Sequence, residues 1–70
     1  MTDSAAEIAE LRAAVKAMMV YQAELVRQLR SSGALTKEQV AFAVSSGSSF
    51  APQSGSLRDD WERSTGHALL

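Results

Sequence analysis

The sequence predicts an all-α fold. A long amphipathic helix and a short second helix form a helical hairpin, an extended C-terminal tail follows, and the hairpins pack together as an oligomeric helical bundle. Three observations carry this expectation. Ile8, Leu11, Val15, Met18, Gln22, Leu25 and Leu29 recur at alternating spacings of three and four, a heptad ladder with one polar rung. No Gly or Pro interrupts residues 1–32, where Ala, Leu, Glu, Arg, Gln and Met dominate. After Gly33, the run Thr36-Lys37-Glu38-Gln39 opens a second helical segment with a capping-box pattern.

The first helix is expected over residues 4–32. Ser4-Ala5-Ala6-Glu7 reads as a capping box: the Ser oxygen accepts an orphan N–H and the Glu reaches back to the cap. Asp3, Glu7 and Glu10 suit the positive end of the helix dipole, and Arg27 and Arg30 suit the negative end. Gly33 stands where a left-handed residue ends a helix. At about 1.5 Å per residue the rod is roughly 43 Å long, more than a 70-residue monomer readily covers.

The second helix starts at the Thr36 box, with Leu35 and Val40 placed as a hydrophobic staple. Val40, Ala43 and Val44 share one face and Phe42 points elsewhere. The helix is expected to fray near Ser45 or Ser46, and at about ten residues it needs a neighbour to be stable. The short turn over residues 32–35 lets it fold back on the first helix. Residues 1–46 thus read as a hairpin and oligomerisation module.

Residues 47–70 read as a linker and a docking segment. Between positions 45 and 56 six residues are Ser and two are Gly, a linker composition interrupted by Phe50 and Pro52. Ser56-Leu57-Arg58-Asp59 offers a start for a short third helix, with Leu57 and Trp61 on one side and Gly66 as its expected stop. His67 and an apolar tip, Leu69 and Leu70, follow.

Size and charge bound the function. A chain of 70 residues supports one small domain, and domains this small usually need a staple or a partner. There is no Cys, which removes disulfides and thiolate metal sites. Oligomerisation is then the expected route to stability. The net charge is −1, and neither half carries the basic excess that phosphate binding needs. No apolar run reaches membrane-spanning length and no signal-peptide pattern opens the chain, so cytoplasmic residence without membrane contact is the default expectation. An aromatic content of 6% argues against an enzyme-like pocket.

The ladder sets the expected oligomer interface. With Ile8, Val15, Gln22 and Leu29 at a, and Leu11, Met18 and Leu25 at d, the flanks include Met19, Val26, Ala14 and Tyr21. Such a wide apolar face suits a bundle better than a two-stranded seam. The bland alternative is that this face only covers its own hairpin partner. A homodimer is favoured, with Ile8, Leu11, Val15, Met18, Met19, Gln22, Leu25, Val26 and Leu29 at its interface. Residues 17–21 are apolar all round and are expected to be the most buried stretch. Gln22 either fixes register by facing its own copy or reaches water at a bundle margin.

Trp61, the single Trp, lies among Arg58, Asp59, Asp60, Glu62 and Arg63. A large aromatic amid charges reads as an interface anchor, and with Phe50, Leu57, Leu69 and Leu70 it defines a candidate partner-binding segment. The alternative is that Trp61 folds back to complete the chain's own core. Catalysis finds little support. His67 has Ser64, Thr65 and Asp59 near it in sequence, but no rigid frame is evident to hold a nucleophile and base together. No catalytic, cofactor or metal site is expected. The inter-helix turn loosely resembles a helix-turn-helix flanked by Arg27, Arg30 and Lys37, yet the helix after it offers one cation and no Arg to read guanine. The sequence therefore points to a non-enzymatic interaction module, such as a small adaptor, inhibitor or assembly subunit, that oligomerises through its long helix and contacts a larger partner through its C-terminal segment. The alternatives are a small DNA-associated regulator and a purely structural subunit.

Overall fold

The computed structural model describes residues 4–70 and contains three helices with no strand among them: α1 (Ser4–Ser31), α2 (Lys37–Ser48) and α3 (Ser56–Ala68). The all-α expectation holds. The third helix forms where a short one was expected and is longer, so the tail is not extended over residues 56–68.

The end of α1 follows from one glycine. Gly33 takes φ 84°, a left-handed conformation that costs glycine nothing. The Ala34 N–H then reaches the Leu29 carbonyl at 2.9 Å and the Gly33 N–H that of Arg30 at 3.1 Å, the paired bonds of a Schellman motif. At its other end α1 is described from Ser4 onward. The cap expected at Ser4 and the Asp3 charge bear on residues 1–3, which lie outside the described residues.

The second box forms as read. Thr36 is the N-cap of α2: its Oγ1 accepts from the Gln39 N–H at 3.1 Å, while the Thr36 N–H donates to Gln39 Oε1 at 2.8 Å. The helix outlasts its expected end and takes in Ser45, Ser46, Gly47 and Ser48. Ser46 adapts by donating its hydroxyl to the Phe42 carbonyl one turn back, and at Gly47 the Trp61 ring occupies the space a Cβ would need. The remaining link is tied down by bonds from the Phe50 and Ala51 amides to the Gly47 and Ser48 carbonyls. It ends at Gly55, with φ 89°, which serves as the N-cap of α3.

Gly66 does not stop α3, which runs on to Ala68. Its last turn is held from outside: Arg30 of α1 donates to the carbonyls of Ala68 (3.2 Å) and Leu70 (2.7 Å). A cation there satisfies carbonyls that have no helical partner and complements the dipole. Contacts between α1 and α3 advance together along both helices, from Lys16–Asp60 through Glu24–His67 to Arg30–Ala68. The two helices are therefore parallel and pack directly on one another.

The core is small. Ala23, Val40 and Ala68 are buried, with Val26, Leu35, Val44 and Leu69 packed around them. Residues 17–21 are not the most buried stretch: Met18, Val20 and Tyr21 are exposed and only Met19 is half-buried. The physical reason is where α3 lands. It covers the side of α1 that presents Ala23, Glu24 and Arg30, next to the heptad ladder and not on it. Every described side chain from residue 4 to residue 18 is exposed, and the turns of α1 before the Lys16–Asp60 contact, about three at 3.6 residues per turn, project beyond the bundle. The chain accordingly measures 50 × 22 × 14 Å.

Candidate interaction surface

The heptad rungs form one open stripe along α1. Ile8, Leu11, Val15, Met18, Leu25 and Leu29 keep between 37% and 66% of their surface accessible, and Gln22 among them is exposed. Exposure is greatest at Leu11, on the projecting arm, and least at Leu29, beside the bundle. The flanks expected to widen this face part company. Met19 and Val26 turn half-buried into the cleft that also holds Val40, Val44 and Trp61, whereas Tyr21 stays outside. One side of the ladder is thus closed by the chain's own helices and the other is open.

The C-terminal residues proposed from sequence are not gathered into one patch. Trp61 is half-buried, its ring against Gly47 and its Nε1 donating to Ser48 Oγ at 3.2 Å. Leu57 is half-buried, and so is Leu69, which packs on the Ala23, Val40 and Ala68 cluster. Phe50, 91% exposed, and Leu70 face outward. Phe42 is a further exposed aromatic, as its place off the Val40 and Val44 face implies.

A groove of about 300 Å³ runs between α1 and α3, lined by Val20 and Ala23 together with Lys16, Glu24, Asp60, Arg63, Ser64 and His67. Asp60 receives Arg63 at 2.9 Å and Lys16 at 3.9 Å. His67 Nε2 meets Glu24 Oε2 at 2.6 Å. That hydrogen bond, aided by one from Gln28, holds the Glu24 carboxyl below the ordinary carboxylate range. Sequence reasoning set His67 beside Ser64, Thr65 and Asp59. Its actual partner is 43 positions away, and nothing in the local pattern signals it. Thr65 donates to the Trp61 and Glu62 carbonyls, so it and His67 are not joined as nucleophile and base. No group of three or more His, Cys, Asp or Glu suited to a metal occurs among the described residues.

Of the three cations near the first turn, Arg27 and Lys37 are exposed and Arg30 is committed to the end of α3. No described helix is long and apolar enough to cross a membrane. No protein-family model, curated protein or solved structure matches this chain, so its own residues carry the functional reading.

Proposed function

We propose that this protein is a non-enzymatic protein–protein interaction module that self-associates through the open stripe of α1. The observation that carries the reading is an imbalance of apolar surface. Among the described residues the buried core consists of two alanines and a valine, whereas six large apolar rungs stay about half-exposed on one side of one helix. Fully burying such a side chain stabilises by about 1.5–3 kcal/mol, so the uncovered half of each rung is worth roughly 1 kcal/mol. Contiguous apolar surface of this kind on a small protein marks an interaction site. The projecting arm strengthens the case, because about three turns of helix without a neighbour are marginal in water.

The part played by the C-terminal segment is narrower than a docking site centred on Trp61. The seat of Trp61 on Gly47 and of Leu69 on the core supports a role in completing the fold, which leaves Phe50, Phe42 and Leu70 as the side chains through which an assembled form contacts a larger partner. Thermal melting at several protein concentrations tests self-association, since an assembly melts higher as concentration rises. A concentration-dependent midpoint that Leu11→Asp abolishes supports the reading. Melting independent of concentration in the unaltered protein overturns it.

A further inference from the structure

The same stripe specifies how a second copy lies on it, an inference that rests on the self-association just proposed. We propose that the occupant is a second copy of this chain running parallel and in register, so that the two Gln22 side chains face one another across a two-fold axis along the α1 pair.

Three observations lead here. The first is the polar rung. In a parallel, in-register pair each rung meets its own copy, so Gln22 meets Gln22, and an amide both donates and accepts. An antiparallel pair sets a positions against d positions. The two overlays that cover most of the ladder then place Gln22 against Leu11 or against Met18, burying an amide on an aliphatic surface. They also leave Leu29 or Ile8 without a partner rung. Only the parallel overlay uses all seven.

The second observation is charge. Glu7 occupies a g position and Arg12 the e position five residues on, the pairing that joins neighbouring helices in parallel coils. Both lie on the exposed arm, and neither is in an ion pair among the described residues. Two-fold symmetry makes the contact twice. An antiparallel partner brings e positions together instead, setting Arg12 against Met19 or Val26. The third observation is the closed flank. Met19 and Val26, the e positions of the lower half, are already covered by the chain's own helices, so the apolar width that argues for extra helices in the bundle is filled from within. One further copy suffices to cover what remains.

The chain has no native cysteine, which makes cross-linking a direct test. Ile8→Cys and Leu25→Cys variants of the full chain are mixed in a glutathione redox buffer, with the unaltered protein's mass measured alongside. The expected result is disulfide-linked pairs of Ile8→Cys with itself and of Leu25→Cys with itself, at least about tenfold over the mixed species. Predominance of the mixed species identifies an antiparallel pair; it overturns this proposal and leaves self-association standing. A trimeric or larger mass overturns the pairwise register, and a monomer overturns both. Ile8 is on the projecting arm, so its replacement leaves the bundle intact. As an independent check, Arg12→Glu should weaken association by about three- to tenfold, the range for exposed ion pairs made twice. Adding Glu7→Arg should restore it to within about twofold; no recovery overturns the contact.

Discussion

Two helical glycines allow a paired experiment in which one substitution has two outcomes. Gly66 sits on the exposed side of α3 with nothing within 4 Å of a Cβ built on it. Gly66→Ala therefore collects the helix-propensity gain of about 0.8–1 kcal/mol. Gly47 in α2 has the same propensity deficit, but its Cβ stands 2.7 Å from Trp61 Cη2 and 3.3 Å from Cζ2. The ring has to swing away, and it is held by half-burial and by the bond to Ser48 Oγ. Overpacking of this kind costs about 1–3 kcal/mol, which cancels the gain or exceeds it by up to about 2 kcal/mol. The assay is thermal melting by circular dichroism at one fixed concentration, with Trp emission followed in parallel. A stabilised variant of a chain this size gains about 4–8 °C per kcal/mol. Gly66→Ala should melt higher by roughly that amount. Gly47→Ala should melt no higher than the parent, with its Trp emission shifted to the red. Equal stabilisation by both variants, with unchanged emission, refutes the seating of Trp61 on α2.

Other expectations follow from single contacts. Arg30→Ala should cost about 1 kcal/mol and release the last turn of α3, because two carbonyls lose a charged donor; faster hydrogen exchange in residues 64–70 checks it. Trp61→Ala should be the most destabilising tail substitution, at about 2 kcal/mol for a side chain only half-buried, read by chemical denaturation. Glu24 gives a pH dependence. Its carboxyl is held below the ordinary carboxylate range when folded, so its contribution is present above that range and is lost as pH falls through the lower folded value. Glu24→Gln should flatten this acid limb of the stability curve, and an unchanged limb rejects the tie to His67.

Much of the fold was legible in the sequence because local signals and tertiary outcome agree. The Thr36 box and Gly33 act through hydrogen bonds within one turn, so residue types and spacing suffice to place them. The ladder was legible as a stripe for the same reason. Its burial was not, since periodicity shows which residues share a face and not which neighbour lands beside it. α3 settles on the adjacent face through Ala23 and Ala68, two small residues that carry little weight in a reading by hydrophobicity. Composition concealed how far α2 and α3 run. Ser and Gly lower helix propensity, but only by about a kilocalorie each at most, and tertiary contacts outweigh that: Trp61 on Gly47, Arg30 on the α3 carbonyls, Glu24 on His67. Those contacts span 14 to 43 positions, beyond the reach of any local pattern.

The central claim is that the open stripe of α1 is covered by another chain. Sedimentation equilibrium of the unaltered protein over a range from about one to several hundred micromolar tests it most directly. The account predicts a mass rising to twice the 7.5 kDa of one chain, with Met18→Asp holding the mass at the single-chain value throughout. A mass of one chain across the whole range in the unaltered protein contradicts it.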